Sequence, residues 1–419
     1  MFPTSVIRKL APSEEWYAQS MTFGAITLQM SGQFDTDAMS DAFDALLESH
    51  PVLAGHLEKR SDGRHQIVTD DLLHPGIWMV ENDDRSLSES AGFKLDASVS
   101  LVNLMVRRID GQTELTLYVH HSLADGHHGA GLLFELFSRY TDVVCSGSAG
   151  PVTAQPAPES LEAVLEHRGI RKIARSGLER FLPAMFAYEL PPPRSAERIA
   201  NPATPVAAPT ARGRLTKHET TALMEFGRAH RLFLNPLVSA AILLAEWRLR
   251  ETPGIPIPYV YVVDLRMLLQ PPVSAMAATN PLGMATYLAT VKANTNLVDL
   301  ARDIADNLRA DMADGVVQQS MLHFKAQYDE GQRGLPDVVS STNFGRSPAL
   351  RIPPDLHVDD WCTDIYRAST IVDMYSVGIF GEQLSVEHHT YAPEPQRSVD
   401  LVLAILRAAA LEHQRSRTA

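Results

Sequence analysis

His120-His121-Ser122-Leu123-Ala124-Asp125-Gly126 joins two segments whose side-chain patterns differ. Residues 114–119 alternate apolar and polar side chains, which is the period of a strand that is buried on one face. Residues 129–145 carry apolar side chains at the three- and four-residue spacing of a helix. The sequence therefore predicts a strand-to-helix connection that contains two histidines, an aspartate and a glycine, and such connections commonly hold reactive groups.

His121 is the candidate general base of this connection, because a neutral imidazole accepts a proton near neutral pH. Strand alternation places His121 on the same side as the leucines and His120 on the other side. Asp125 either contacts the imidazole and fixes its tautomer, as in a catalytic triad, or turns away and pairs with an arginine. Gly126 would permit a close approach that a side chain would block. The alternative without chemistry is a pair of polar core residues at a tight turn.

Metal binding is a second interpretation of this stretch, because histidine and carboxylate side chains are suitable ligands. Five such residues lie close together: His120, His121, Asp125, His127 and His128. On a strand, however, His120 and His121 point to opposite faces, and the remaining residues lack the i, i+4 spacing of a helical zinc motif. The spacing therefore favours a site without metal.

The composition is typical of a soluble enzyme and excludes several other classes. The 419 residues, 45% of them hydrophobic, are enough for two domains with their own cores. The formal charge of −13 disfavours nucleic-acid binding. Cys145 and Cys362 form no pattern of disulfides or zinc ligands. Since no signal peptide and no run of about 20 apolar residues is recognised, we expect a cytoplasmic protein without a transmembrane segment, with peripheral membrane contact left open.

A proline-rich stretch divides the chain into two halves that both mix helices and strands. We predict an N-terminal domain over residues 1–175, a crossover linker over 176–215 and a C-terminal domain over 216–419. Helices are predicted at 160–175, 177–188, 217–231 and 296–308, and strands at 257–263 and within 366–389. A further helix is predicted to begin with Asn235 as N-cap and Pro236 at its first position. Nucleotide-binding glycine motifs and the G-x-S-x-G of serine hydrolases do not occur.

The His-His-x-x-x-Asp-Gly run resembles the signature of a superfamily of acyltransferases that use CoA or carrier-protein thioesters. The superfamily includes chloramphenicol acetyltransferase, plant alcohol acyltransferases and the condensation domains of nonribosomal peptide synthetases. Three further segments are similar to it: residues 35–57 with His50-Pro51-Val52-Leu53, then Val263-Asp264-Leu265-Arg266 with Pro271-Pro272, and Asn280-Pro281-Leu282-Gly283. The likeness is greatest to the mycobacterial polyketide-synthase-associated acyltransferases, and it extends over nearly the whole chain.

One signature of the plant enzymes, DFGWG, is incomplete here. The corresponding stretch is Asn343-Phe344-Gly345-Arg346-Ser347, in which the aspartate and the tryptophan are missing. No role is therefore carried over from that signature.

The resemblance implies an α/β, two-domain, chloramphenicol-acetyltransferase-like (condensation-domain-like) fold with mixed sheets and helices and an active-site channel between the domains. It implies that His121 is catalytic, together with Asp125 and Gly126 of the motif. It also implies that Arg266 is a buried partner of Asp125, and Asp264 is then a second partner of the same arginine.

The implied reaction is acyl transfer without a covalent enzyme intermediate and without a cofactor. His121 removes a proton from a hydroxyl, the alkoxide attacks a thioester carbonyl, and the tetrahedral oxyanion collapses to ester and thiol. Candidate oxyanion donors are backbone N–H groups near Gly126, or Ser341 and Asn343. The resemblance implies a long branched acyl donor on a polyketide synthase acyl carrier domain or on CoA, a long-chain diol acceptor, and a monomer. The alternatives are an inactive docking module and a metal-dependent hydrolase.

Carrier docking raises a problem of charge, since acyl carrier domains and this chain are both acidic. Docking would then require a local positive patch. Arg231 at the end of the predicted helix 217–231 and Arg309 on a second helix are the candidates for that patch. The alternative is that both are ordinary solvated residues at helix ends.

Overall fold

The computed structural model describes residues 5–69, 75–81, 93–191, 205–323, 337–347, 349–368 and 372–418. Within these ranges the chain forms two six-stranded sheets and one three-stranded sheet, with helices packed against them. The small sheet contains β1 (Ser5–Lys9), β3 (Gly55–Lys59) and β4 (His65–Thr69), with β4 in the middle.

The first large sheet contains the strand that leads into the histidine motif. Its strands are β2 (Phe23–Gly32), β5 (Ile77–Glu81), β6 (Val102–Ile109), β7 (Gln112–His120), β8 (Val206–Ala207) and β13 (Leu356–Arg367), in the order β5-β6-β7-β2-β13-β8. All neighbours are antiparallel except β5 and β6. The predicted motif strand is thus β7, and it ends at His120.

The second large sheet is also mixed. Its strands are β9 (Thr210–Arg214), β10 (Ile257–Asp264), β11 (Leu282–Ala289), β12 (Val339–Arg346), β14 (Asp373–Phe380) and β15 (Gln383–Thr390), in the order β11-β10-β12-β14-β15-β9. The pairs β10–β12 and β12–β14 are parallel, and the others are antiparallel. The predicted α/β class with mixed sheets is therefore confirmed.

One strand crosses between the halves. β13 comes from late in the chain, yet it pairs antiparallel with β2 of the first sheet from Leu356 to Tyr366. The boundaries at 1–175, 176–215 and 216–419 stay a prediction, and residues 192–204 of the predicted linker lie outside the described residues.

Two hydrophobic cores form where helices cover the sheets. The α-helices are α1 (Pro12–Gln19), α2 (Thr36–Ser49), α3 (Gly126–Ser146), α4 (Leu161–Glu166), α5 (Leu182–Ala187), α6 (Lys217–Ala229), α7 (Leu234–Leu249), α8 (Leu297–Ala313), α9 (Val316–Gln319) and α10 (Pro395–Thr418). Short 3-10 helices span Pro51–Ala54, Leu178–Phe181 and Ser320–His323. Helices α2 and α3 contribute to the core of the first sheet, and α6, α7, α8 and α10 to that of the second. Ten successive residues of α7 are buried, as expected for a core helix that is apolar all round.

Several predicted helix ends are wrong. The helix after the motif begins at Gly126 rather than 129, because the Asp125 side chain accepts a hydrogen bond from the His128 N–H and caps the helix a turn earlier. Asn235 is not an N-cap: α7 begins at Leu234, and the Asn235 amide oxygen accepts a hydrogen bond from Asn343 instead. A tertiary partner thus replaces the local cap.

Two other helices end sooner than predicted. α4 ends at Glu166, and α6 ends at Ala229. Arg231 has a φ of 57°, a left-handed conformation that a helix does not contain.

Among the described residues, no single helix has the length and hydropathy of a membrane span. Helices α6 and α7 reach these values only when taken together, and the pair is bent by 104°.

Candidate active site

His121 follows β7 directly and is held on several sides. Its backbone N–H donates to the carbonyl of Thr22 over 2.8 Å, and its carbonyl accepts a 2.8 Å hydrogen bond from the Asn280 amide. The imidazole stacks on the ring of Tyr17 in α1, with 4.2 Å between the centroids and 13° between the planes. Backbone and ring are therefore fixed by segments that are distant in the sequence.

The environment of His121 favours the neutral imidazole. Burial lowers the pKa of His121, and the negative charge of Asp125 opposes this effect only in part. Among the described residues, the Nδ1 of His121 is buried without a hydrogen-bond partner, and so is the Oδ1 of Asn280. The imidazole is therefore favoured in its neutral form near pH 7, and its role as a base stays a prediction.

Asp125 pairs with an arginine rather than with the imidazole. Its two carboxylate oxygens accept hydrogen bonds of 2.8 and 2.9 Å from the two terminal nitrogens of Arg266. Asp264 accepts a third bond, 3.2 Å long, from the same guanidinium. Asp125 and Arg266 are each only 4% exposed. This pairing, predicted from the sequence, joins the start of α3 to the segment that follows β10.

A second set of contacts links the motif to the N-terminal helix. The Asp125 N–H donates to the carbonyl of Thr279, whose hydroxyl donates over 2.8 Å to Glu14. Glu14 is fully buried and is held by two hydrogen bonds from Arg8. Tyr17 and Glu14 were not found by sequence reasoning, because no local pattern in α1 signals a contact with residues a hundred or more positions away.

Gly126 lies against an aromatic ring from the other half of the chain. A Cβ atom at this position would be 2.1 Å from Cε1 and 2.7 Å from Cδ1 of Phe344. Phe344 belongs to the stretch that resembles DFGWG, so the phenylalanine of that incomplete signature packs on the motif glycine. The close approach predicted at Gly126 is therefore the contact with the Phe344 ring, which leaves no room for a side chain.

Gly126→Ala is expected to destabilise the protein by roughly 1–3 kcal/mol, the usual effect of adding a carbon to a filled space. Urea unfolding of Gly126→Ala, Phe344→Ala and the double variant measures this. If the contact is responsible, the glycine substitution should cost much less in the Phe344→Ala background. An equal loss of stability in the wild-type and Phe344→Ala backgrounds would show that the added methyl group clashes with a residue other than Phe344.

The neighbouring histidines differ from His121. His120 is fully buried, its Nδ1 lies 2.7 Å from the Ser122 hydroxyl, and burial lowers its pKa to about 3. His128 is buried with its Nδ1 3.1 Å from the carbonyl of Ala278, and burial lowers its pKa to about 4. Over the ranges that the structure describes, no group of three or more His, Cys, Asp or Glu residues is arranged to hold a metal ion.

The predicted oxyanion donors lie in β12 and already have side-chain partners. The Ser341 hydroxyl lies 2.6 Å from the Tyr259 hydroxyl, and Asn343 donates to Asn235 over 3.2 Å. Their role in stabilising an oxyanion stays a prediction.

The predicted docking arginines differ from each other. Both are exposed, Arg231 in the turn after α6 and Arg309 on α8 with 74% of its side chain exposed. Arg309, however, pairs with Asp306 over 2.6 Å. Because this aspartate offsets the charge of Arg309, Arg231 is the stronger of the two candidates, and carrier docking stays a prediction.

A small cavity lies between β13 of the first sheet and the second sheet, beside direct hydrogen bonds that join the two, such as Thr363 to Glu387 over 2.8 Å. Its lining includes Phe344, Trp361, Thr363, Arg212 and Glu387. Of its lining residues, Phe344 also contacts Gly126 of the histidine motif. The volume of the cavity is about 30 Å³, room for about one water molecule, so the active-site channel between the domains stays a prediction.

The whole chain is similar to named acyltransferases. A sequence model described as the C-terminus of phthiocerol/phthiodiolone dimycocerosyl transferase matches residues 204–389. The curated phthiocerol/phthiodiolone dimycocerosyl transferase of Mycobacterium sp. (strain JLS) is 55% identical over 414 residues, which cover 99% of each chain. The chain belongs to this family. As a member of the phthiocerol/phthiodiolone dimycocerosyl transferase family it is an O-acyltransferase, as the motif implied.

Solved structures agree with this assignment. Polyketide synthase associated protein 5 from Mycobacterium tuberculosis is 50% identical and superposes with a TM-score of 0.85, covering 98% of this chain and 99% of that one. The first condensation domain of the calcium-dependent antibiotic synthetase, at 14% identity, has a TM-score of 0.65 over 98% of this chain and 97% of that one. The second likeness shows the fold alone, and it confirms the predicted condensation-domain-like architecture.

Proposed function

We propose that this enzyme transfers a long, methyl-branched acyl chain from a thioester to the hydroxyls of a phthiocerol-like diol. The observation that carries the proposal is the neutral, fixed imidazole of His121 at the end of β7, in a chain that belongs to the dimycocerosyl transferase family. The donor thioester is carried by an acyl carrier domain of a polyketide synthase or by CoA.

Each step of this reaction needs only the two substrates and one base. The imidazole of His121 takes the hydroxyl proton while the oxygen bonds to the thioester carbonyl carbon, which gives a tetrahedral oxyanion and an imidazolium. The carbonyl then re-forms, the carbon–sulfur bond breaks, and the imidazolium returns the proton to the departing thiolate. Ester and thiol are the products, so no cofactor takes part.

Two neighbours of His121 support this chemistry. The ring of Tyr17 covers one face of the imidazole, and an aromatic face stabilises the imidazolium that forms during the reaction. Asn280 holds the His121 carbonyl, and this contact limits rotation of the residue that carries the base. Both groups act through His121 and are positioning residues.

The proposal is tested by incubating the purified enzyme with acyl-CoA and carrier-bound acyl thioesters, each paired with a panel of monoalcohols and diols. Mass spectrometry should detect ester that depends on both substrates and on an intact His121. Free acid in place of ester would favour a hydrolase, and no product with any pair would favour a docking module. The donor that gives the higher kcat/KM distinguishes carrier delivery from CoA delivery.

The acid limb of the pH–rate profile should lie below pH 6.5, the ordinary pKa of histidine. Because burial lowers the pKa of His121, the imidazole stays neutral to a lower pH, and kcat/KM should fall only when the pH drops through that lowered pKa. The measurement is kcat/KM from pH 4.5 to 8 with a stability control at each value. A limb centred above 6.5 would contradict a buried neutral base.

Asn280→Ala should lower kcat by roughly ten- to a hundredfold with little change in KM, because a base that is slightly misplaced loses rate rather than affinity. Asn296→Ala, which removes the amide that caps α8 sixteen residues later in the sequence, is the control for general destabilisation. Steady-state kinetics on both variants decide this. A rise in KM without loss of kcat would show that Asn280 binds substrate instead.

A further inference from the structure

Exposed apolar side chains of the described residues are concentrated in one short stretch. Ile173, Leu182, Met185, Phe186 and Tyr188 each expose between 39% and 88% of their surface, with Phe186 the most exposed. Elsewhere in the described chain the exposed apolar side chains occur singly or as adjacent pairs, such as Met267 and Leu268. A concentration of exposed apolar side chains of this kind marks a surface that binds another protein or a membrane.

Helix α5 presents its apolar face outward. Leu182, Met185 and Phe186 have the i, i+3, i+4 spacing that normally faces a core, yet all three are exposed, and Ala184 is the buried residue of the helix. The preceding 3-10 helix holds α5 in this orientation, because Arg180 makes two hydrogen bonds to the buried Asp311. The orientation is therefore built into the fold.

Positive charge accompanies this apolar face. Between Arg168 and Tyr188 the chain has five cationic residues and a single acidic one, Glu179, although the formal charge of the protein is −13. Arg171 and Lys172 are exposed, and neither forms a salt bridge with any residue that the structure describes.

The cations lie near the start of α5. The Ile173 N–H donates to the Gln319 side chain, which also lies 2.9 Å from His323. Arg175, three residues after Lys172, lies 4.0 Å from the Asp311 carboxylate that also pairs with Arg180. The segment that carries Arg171 and Lys172 therefore runs close to the 3-10 helix that leads into α5.

We propose that Arg171, Lys172, Ile173, Leu182, Met185 and Phe186 form a membrane-docking face that binds an anionic lipid surface. Basic side chains beside an outward apolar helix face are the combination that binds at the membrane interface. An acidic carrier domain is disfavoured, because the apolar side chains of this face outnumber its exposed cations. The proposal does not depend on the chemistry of His121, and it supplies a route for substrates that are themselves lipids if the proposed function holds.

The test is sedimentation of the full-length enzyme with large vesicles, either of phosphatidylcholine alone or of phosphatidylcholine mixed with phosphatidylglycerol. The wild type should bind the mixed vesicles more tightly, and salt should weaken this binding. Met185→Ser with Phe186→Ser should weaken binding by roughly tenfold or more. Arg171→Glu with Lys172→Glu should weaken it on the order of tenfold or more, and only on the anionic vesicles.

Phe233→Ser is the matched control, because Phe233 is 87% exposed and precedes α7, outside the segment that carries the proposed face. It should bind vesicles like the wild type, and His121→Ala should do so as well. Absence of wild-type binding, or equal loss with Phe233→Ser, would overturn the proposal.

Two other results would assign the face to a different occupant. A melting temperature that falls sharply in Met185→Ser with Phe186→Ser would show that the chain itself covers these side chains. If the variants of this face bind vesicles normally but lose transfer from the carrier-bound donor, and only from that donor, the face docks a carrier domain. Either result overturns the membrane assignment, whereas loss of vesicle binding with normal turnover of short, water-soluble substrates supports it.

Discussion

His121→Ala should lower kcat/KM by roughly a hundredfold or more, the usual loss when a general base is removed. The residual rate would reflect binding and orientation of the two substrates, which the substitution leaves in place. Steady-state kinetics with thioester and alcohol measure the effect, and circular dichroism checks the fold.

His127→Ala is the matched control for this prediction. His127 lies six residues along the chain, is half-exposed, and has its Nδ1 3.4 Å from Asp264. Its loss should change the rate by less than about threefold, since it has no part in the proton transfer. Near-normal turnover of folded His121→Ala would show that another group is the base.

Truncation of either partner in the buried ion pair should lower the free energy of unfolding by about 3–5 kcal/mol, because the remaining charge is left buried and unpaired. Asp125→Ala also removes the cap of α3, which contributes about 1 kcal/mol more. Arg266→Ala retains that cap. Urea unfolding should therefore rank Asp125→Ala as the less stable of the two.

The double variant separates the pair from its surroundings. Loss of both charges should cost clearly less than the sum of the single losses, since no unpaired charge remains. Truncation of the exposed pair Asp299 and Arg302 on α8 is the control and should cost less than about 1 kcal/mol. Unchanged stability with lost activity in Asp125→Ala would instead indicate that the carboxylate acts directly in catalysis.

Features encoded by neighbouring residues could be predicted from the sequence. The alternation before His120 and the helical spacing after Gly129 predict β7 and α3, because each pattern depends on one element burying one face. The pairing of Asp125 with Arg266 followed from a resemblance in two separate motifs, and the hydrogen bonds show that pairing.

Features that depend on distant contacts could not be predicted in this way. Tyr17 stacks on His121 only because α1 returns to the end of β7, and nothing in the sequence of α1 indicates this. Asn235 has the local pattern of an N-cap, but its side chain finds Asn343 in the folded protein, so tertiary contact outweighs local preference. The outward face of α5 likewise contradicts the usual rule that apolar periodicity points to a core.

The late strand in the early sheet has a consequence for biosynthesis. Thr27 in β2 and Cys362 in β13 are adjacent in the sheet, although 335 residues separate them in the chain. A ribosome that adds about 5–20 residues per second therefore leaves one edge of β2 without its partner for tens of seconds. During that interval the nascent first half presents an open strand edge, the kind of surface on which chains aggregate. We expect the yield of folded protein to depend on how fast the second half is translated and on chaperones that shield this edge.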